Sequence, residues 1–173
     1  MTVLVVGATR VLRPAVLELI AGGEPVLAVA RTAADLVALA GTSTLISIAR
    51  ADGHESGTLR AELAAAPTCD AAIAYQPAVG DLDSLAIVRG AVAGPIVLLR
   101  TSSAADTGDE EFGPADLGPT LQGVVNVVLG WHRDGGRTRW HTPEEISASA
   151  LQALHGRTDR ILGAVRPWSD RPA

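Results

Sequence analysis

Lysine is missing from this sequence, and all 14 of its basic side chains are arginine. Any reaction that depends on a lysine amine is therefore excluded. Cysteine is nearly missing as well: Cys69 is the only one, so no disulfide can form within the chain. Because Cys69 stands just before an apolar run, we expect it to be buried rather than reactive.

Aromatic residues make up only 3% of the chain, which favours tight packing of helices on a sheet over an aromatic-lined groove. No apolar run approaches the roughly 18 to 20 residues that would span a membrane. No basic stretch precedes the first apolar run, so a secretory signal is not indicated and we expect a cytoplasmic protein. The formal net charge of -5 offers no basic surface to attract nucleic acid.

Short apolar runs alternate with helical stretches, a pattern typical of a parallel sheet with crossover helices. The runs are nearly all apolar rather than alternating with polar residues, as expected of strands covered on both faces. The predicted strands are 2–7, 25–30, 44–49, 70–75 and 95–100, and the predicted helices are 13–22, 33–40, 57–66 and 81–92. We therefore predict the α/β class, with one doubly wound Rossmann-like domain over residues 1–173.

The pattern changes after the fifth strand. Residues 101–120 are polar and interrupted by glycine and proline, which predicts a long loop. A strand over 121–132, a turn over 133–136 and a returning strand over 137–141 follow, and together they predict a hairpin. The mostly parallel sheet should therefore be completed by a C-terminal hairpin.

A C-terminal helix should follow the hairpin. Thr142, Pro143 and Glu145 are the residue types favoured at the N-cap and at the first and third helical positions. The helix should run to about His155 and end at Gly156.

The turn after the first strand has the sequence GATRVLR, from Gly7 to Arg13. A strand-to-helix turn presents unpaired amides and the positive end of the helix dipole, which favours an anion. Glycines allow a pyrophosphate to approach the backbone, yet here Val11 and Arg13 place side chains in its path. Two alternatives stay open: Gly7 is only a tight turn and the arginines are solvated, or Arg10, Arg13 and Arg31 grip an anion themselves.

This first strand-turn-helix segment resembles the short-chain dehydrogenase/reductase family, whose loop carries three glycines. Only Gly7 of the three is kept. The GATR stretch matches the form of the family that prefers NADP, in which the residue matching Arg10 meets the phosphate on the adenosine ribose. Arg31 falls where such enzymes often keep a second basic residue. The resemblance thus implies NADP as cofactor, bound by residues of the first two βα turns: Gly7, Thr9, Arg10, Arg13 and Arg31. The departures leave open that no cofactor binds.

Members of that family use a tyrosine, a lysine four residues further on, and a serine at the end of the fifth strand. Ser102 or Ser103 can match the serine. The tyrosine-lysine pair is absent, because Tyr75 is the only tyrosine and there is no lysine. Standard short-chain redox chemistry is excluded on this ground, and we predict that Tyr75, Ser102 and Ser103 take the catalytic roles at the ends of the fourth and fifth strands.

The expected substrate is a small molecule bound beside these groups, with contacts from Gln76, Asp106 and His132. His132 and His141 flank the predicted hairpin and could face each other, but no third residue has metal-ligand spacing, so no metal site is predicted. The stretch GWHRDGGRTRWHTPEEISASAL looks like the C-terminal part of small bacterial short-chain-dehydrogenase-like proteins.

Three tryptophans lie in the last third of the chain: Trp131, Trp140 and Trp168. They predict either a homodimer interface or packing of the hairpin within its own chain. Three functions remain open: an atypical NADP-dependent reductase acting on a small metabolite, a cofactor-independent cyclase or isomerase in a biosynthetic pathway, and a non-catalytic metabolite-binding protein. Fold alone does not decide among them.

Overall fold

The computed structural model describes residues 1–76, 82–105 and 123–172. The strands are β1 (Val3–Val6), β2 (Val26–Ala30), β3 (Ile46–Arg50), β4 (Ala71–Gln76), β5 (Ile96–Thr101), β6 (Val124–Leu129), β7 (Trp131–Asp134), β8 (Arg137–Trp140) and β9 (Arg160–Leu162). The helices are α1 (Arg13–Ala21), α2 (Ala33–Ala40), α3 (Ser56–Ala64), α4 (Leu82–Gly90) and α5 (Pro143–Gly156). A 3-10 turn follows β5 (Ser102–Ala105), and another lies near the C-terminus (Trp168–Asp170).

Seven strands form one parallel sheet in the order β3-β2-β1-β4-β5-β6-β9, and β7 and β8 form a separate antiparallel pair. The first six strands have the order of a doubly wound dinucleotide-binding sheet. The prediction of a doubly wound, Rossmann-like α/β fold with a C-terminal hairpin and helix is confirmed. The chain reverses its direction of winding between β1 and β4, which places the topological switch point there.

Two hydrophobic cores lie on opposite faces of the sheet, and β1 contributes to both. Val3 and Val5 point to the face covered by α1, α2 and α5, whereas Leu4 and Val6 point to the face covered by α3 and α4. All four side chains are buried. Successive residues of β1 alternate between the two cores, so the residues on both faces of the strand must be apolar. This explains the unbroken apolar run of the first strand.

The predicted strand over 121–132 is wrong in its extent. The structure divides it into β6 and β7, with Gly130 between them. A Cβ atom at Gly130 would overlap the carbonyl oxygen of Ala164, so only glycine lets the tail pass this close. The backbone of Trp131 then pairs with Ala164 through two hydrogen bonds of 2.8 Å. The strand ends because another segment crosses it.

Strand β9 is missing from the sequence-based prediction, which assigns no element after the helix that ends at Gly156. It pairs in parallel with the last residues of β6, from Val127 to Leu129. The amide of Asn126 donates to Asp159 Oδ1 at 2.7 Å, just before the ladder begins. With only three residues, all partly exposed, β9 is too short for a sequence pattern to identify as a strand.

Helix α5 begins as predicted. The Thr142 hydroxyl accepts from the amide of Glu145 at 3.3 Å, and the Glu145 carboxylate accepts from the amide of Thr142 at 2.9 Å. Its C-terminus differs slightly, because Gly156 is the last helical residue and Arg157 adopts the left-handed conformation with a φ of 52°. The buried side of α5 packs against α1 and the sheet.

The hairpin is held by the C-terminal tail through aromatic contacts. Trp131 is fully buried, and its ring meets that of Trp168 edge to face with centroids 6.0 Å apart. The Arg171 guanidinium lies over Trp140 at 5.3 Å and over Trp168 at 5.1 Å. Packing within the chain therefore accounts for Trp131 and Trp168, and Trp140 is the most exposed of the three tryptophans, at 41%.

Two further expectations concern burial. Cys69 is buried at 1% exposure, as predicted, and burial raises the pKa of its thiol. Across the described residues, none of the helices has the length and apolar character needed to cross a membrane.

We predict that Glu145→Gln lowers the free energy of unfolding by about 1 kcal/mol at neutral pH. Glutamine keeps the capping bond but loses the charge on which two bonds of 2.8 Å from Arg139 depend. The Arg139 bonds, followed by the Thr142 amide, hold the pKa of Glu145 far below its ordinary value of 4.5. The stabilisation is thus fully present above that ordinary value and is lost as the pH falls below it.

Urea denaturation at several pH values measures this difference. The gap between wild type and Glu145→Gln should shrink as the pH drops below about 4.5. Glu144→Gln is the matched control, because Glu144 is an exposed residue of the same helical turn. An equal, pH-independent loss in both variants would contradict the assigned role of the Arg139 pair.

Candidate functional site

A cleft of about 190 Å³ opens at the carboxyl ends of β1, β2 and β3 and is closed on one side by β4. This is the edge at which open α/β sheets bind ligands, next to the switch point between β1 and β4. Its polar lining comes from three turns and from Tyr75, and the lining residues are Val6, Gly7, Thr9, Arg10, Val11, Val29, Ala30, Arg31, Thr32, Ala51, Asp52, Gly53, His54 and Tyr75.

The first two amides of the turn between β1 and α1 donate hydrogen bonds to the neighbouring strand β2. Gly7 and Ala8 both donate to the carbonyl oxygen of Val29, at 2.9 and 3.1 Å. Gly7 has a φ of +92°, which only glycine adopts without strain. These two amides are engaged with β2, and an anion in the cleft cannot use them without breaking the sheet.

The rest of the turn is fixed by α5 rather than by a cap of its own. The Ser147 hydroxyl donates to the carbonyl oxygen of Val11 at 3.1 Å, and Leu12 is fully buried. Leu12 occupies the N-cap of α1 without a side-chain cap, and a proline stands in the first turn of the helix. Val11 packs against the core and lines the cleft. The side chain that replaces a loop glycine is thus part of the packing.

The structure brings two of the three predicted arginines into the cleft. Arg10 and Arg31 line it, together with Gly7 and Thr9. Arg13 is the first residue of α1; it is exposed and is absent from the lining. The two arginines come from different turns, after β1 and after β2, and the parallel pairing of these strands places them at the same edge.

Sequence reasoning missed the third turn of the cleft. Asp52 follows β3, and its carboxylate forms an ion pair of 3.6 Å with the Arg31 guanidinium. Its other oxygen accepts from the amide of His54 at 3.0 Å. A signal was available: Asp52 and His54 directly follow an apolar strand, so parallel topology places them beside Arg31.

Tyr75 closes the cleft at the switch point. It is half-buried, and a Cβ atom placed on Gly7 would lie 3.3 Å from the Tyr75 Cβ. Burial raises the pKa of the Tyr75 phenol above its ordinary value of 10. The phenol is therefore protonated at neutral pH and acts as a hydrogen-bond donor rather than as a base. The neighbouring Gln76 belongs to β4, but its side chain lies outside the described residues.

The two predicted serines lie at the end of β5. Ser102 is buried at 1% exposure, whereas Ser103 is exposed and its Oγ lies 2.6 Å from Thr101 Oγ1. The described lining of the cleft includes neither serine. Asp106 lies outside the described residues.

His132 belongs to the hairpin and not to the described lining of the cleft. It meets His141 edge to face with ring centroids 6.1 Å apart, as the sequence suggested. Glu145 joins them as a third group, which sequence reasoning did not find, and ligand atoms of the three lie within 4.8 Å of one another. Both Glu145 oxygens accept from Arg139, so a cation would have to displace a guanidinium there.

No protein-family model matches this chain, and no curated protein sequence matches it. Solved structures do. The anaerobillin reductase ChuY from Escherichia coli aligns over 100% of both chains with a TM-score of 0.63 and 15% identity. Yeast methylglyoxal/isovaleraldehyde reductase, solved with NADPH, aligns over 94% of this chain and 78% of its own with a TM-score of 0.67 and 12% identity. BdcA, solved with NADPH, aligns over 96% of both with a TM-score of 0.64 and 12% identity.

At these identities the likeness shows the fold, which is that of the short-chain dehydrogenase/reductases. The sequence makes this chain an atypical example of the fold, because it has no lysine to accompany a catalytic tyrosine. Its first turn also has valine and arginine where that family keeps glycine. The predicted resemblance to an atypical short-chain-dehydrogenase-like Rossmann protein is confirmed at the level of fold.

We predict that Gly7→Ala lowers the free energy of unfolding by more than about 1 kcal/mol, because alanine is strained at this φ and meets Tyr75. Gly23→Ala is the matched control, since Gly23 has a φ of +82° and nothing lies within 4 Å of an added Cβ. Urea denaturation of both variants separates the two effects, because Gly23→Ala measures the backbone strain alone and Gly7→Ala adds the contact with Tyr75. Equal losses in the two would mean that Tyr75 moves aside without cost.

Proposed function

We propose that this protein is a divergent reductase that binds NADP(H) in the cleft and reduces a small carbonyl compound. The observation that carries the proposal is the pairing of Arg10 and Arg31 in one cleft beside the switch point. Guanidinium groups suit a phosphate monoester, because their forked donors match its oxygens. Two of the structural neighbours, the yeast reductase and BdcA, were solved with NADPH, which supports this choice of cofactor.

The residues of the cleft fit one end of NADP(H) better than the rest. Arg10 and Arg31 suit the phosphate on the adenosine ribose. Typical ligand pockets measure about 300 to 1,000 Å³, so a cleft of about 190 Å³ holds only part of a dinucleotide. With the amides of Gly7 and Ala8 engaged in the sheet, the exposed Arg13 at the start of α1 is our candidate for the pyrophosphate.

When bound, NADPH would supply a hydride to the substrate. The chain's own contribution is the protonated phenol of Tyr75, which can donate a hydrogen bond to a carbonyl oxygen. Because burial raises the pKa of the Tyr75 phenol, the group is protonated at neutral pH and keeps the hydrogen atom that such a bond requires. Ser102, Ser103, Gln76, Asp106 and His132 remain our candidates for further catalytic and substrate contacts.

A cofactor-free function is the second candidate, and one observation favours it. The first two main-chain amides of the phosphate-binding turn, those of Gly7 and Ala8, already donate to the carbonyl oxygen of Val29. In that case the same arginines bind an anionic metabolite directly, and the protein is a cyclase, an isomerase or a binding protein. The proposed cytoplasmic location and homodimer apply to both candidates; Trp140 is the exposed aromatic that would anchor the dimer.

Calorimetric titration with NADPH tests the cofactor. Arg10→Ala and Arg31→Ala should each weaken NADPH binding by about tenfold, since each removes a charged hydrogen bond to phosphate at a solvent-exposed site. Arg60→Ala is the control, because Arg60 is an exposed residue of α3 outside the cleft. Arg13→Ala should weaken NADPH and NADH equally. Absence of binding by the wild type at millimolar NADPH would reject the cofactor and leave the second candidate.

Tyr75→Phe tests the catalytic assignment. The variant loses only the phenol oxygen, so the rate of NADPH oxidation by small aldehydes should fall by about a hundredfold while NADPH affinity is unchanged. Methylglyoxal and isovaleraldehyde are suitable probes, because a structural neighbour is a reductase of both. If activity is present in the wild type and survives in Tyr75→Phe, the proton comes from another group.

A further inference from the structure

Asp52 places a negative charge inside the cleft that is expected to bind an anion. Its carboxylate is oriented by the chain itself, because Oδ1 accepts from the amide of His54 two residues further on, at 3.0 Å. This bond leaves Oδ2 directed at the Arg31 guanidinium, 3.6 Å away. The orientation of Asp52 is thus fixed by its own turn and does not require a ligand.

The backbone of Arg31 is held at the same place. The guanidinium Nε of Arg50 donates to the carbonyl oxygen of Arg31 at 3.3 Å, across the β2–β3 pair in which Ala30 faces Arg50. The Arg31 side chain itself is 73% exposed, so it is positioned by its backbone and by Asp52 rather than by burial. Asp52 is the acidic residue among those that line the cleft.

We propose that Asp52 is an internal competitor in the cleft: its carboxylate occupies the Arg31 guanidinium, and every anionic ligand that binds Arg31 must displace it. A carboxylate ligand gains nothing by replacing one carboxylate with another. A phosphate monoester carries a charge of about -1.5 to -2 at neutral pH and three acceptor oxygens, so it wins the exchange. A neutral ribose hydroxyl leaves the ion pair intact.

The inference rests on the proposed function only for the identity of the ligand, and a double-mutant cycle tests it. Asp52→Asn keeps an oxygen that accepts from the His54 amide and removes the charge. It should tighten binding of both NADPH and inorganic phosphate by about two- to fivefold, the range expected for an exposed ion pair. NADH affinity should not change, and acetate should begin to protect the protein against thermal unfolding.

In the Arg31→Ala background the same Asp52→Asn change should have no effect, because the group for which Asp52 competes is gone. Glu55→Gln is the matched control: it removes the same charge from the same loop, but Glu55 does not line the cleft. Thermal shifts with phosphate and acetate, and calorimetry with NADPH and NADH, complete the cycle.

Three results would overturn the inference. The first is weaker NADPH binding in Asp52→Asn, which would make Asp52 a direct ligand contact. The second is tighter ligand binding by Asp52→Asn even in the Arg31→Ala background, and the third is an equal gain in ligand affinity in Glu55→Gln. Binding of inorganic phosphate with the expected pattern but no binding of NADPH supports the inference and rejects the proposed cofactor. If NADPH binds but Asp52→Asn changes its affinity in neither the wild-type nor the Arg31→Ala background, the proposed cofactor is supported and the inference about Asp52 is rejected. Binding of neither probe to any variant rejects both.

Discussion

The extension of the β1–β2 ladder beyond the end of β1 determines the character of the cleft. Because Gly7 and Ala8 both donate to the carbonyl oxygen of Val29, the start of the turn is pinned to the sheet. In a Rossmann fold this turn normally lends its main-chain donors to a diphosphate. Here the ladder engages the first two of those donors, and the guanidinium groups of Arg10 and Arg31 add charged donors that can bind an anion.

The same constraint explains why the substituted turn is stable. Val11, which stands in place of a glycine, and the neighbouring buried Leu12 connect the turn to the hydrophobic core, and the hydroxyl of Ser147 donates to the turn from α5. Ser147 lies 136 residues from its acceptor in the sequence. The first turn and the last helix therefore form one structural unit, so a change in α5 is transmitted to the cleft through packing rather than through a ligand contact.

Much of the fold could be predicted from the sequence, because a strand covered on both faces must be apolar along its length and is therefore recognisable as an apolar run. The division of the predicted strand 121–132 at Gly130 could not be predicted, because it is caused by the close approach of the Ala164 carbonyl group, which lies far along the chain. Strand β9 was not predicted for a related reason: it is held by its pairing with β6 and by the bond from the Asn126 amide to Asp159, both of which depend on the folded chain.

The cleft was predictable to the extent that it depends on strand ends. Arg10 and Arg31 follow strands that were correctly assigned, so their meeting follows from parallel pairing. Arg13 was grouped with them although the predicted helix 13–22 begins at this residue, and only the structure shows that Arg13 does not line the cleft. Asp52 was overlooked although it follows the third strand, where parallel pairing places it beside Arg31; the ion pair between the two is visible only in the folded chain.

The position of β9 also bears on how the chain can be assembled. Strand β6 is buried along its whole length, yet one of its edges is paired by residues 160–162, which are synthesised only after α5. While the chain is still emerging from the ribosome, that edge has unpaired backbone groups of the kind that recruit other strands. The sheet can therefore be closed only late, after translation of the hairpin and the last helix, and until then this edge of the nascent chain needs protection.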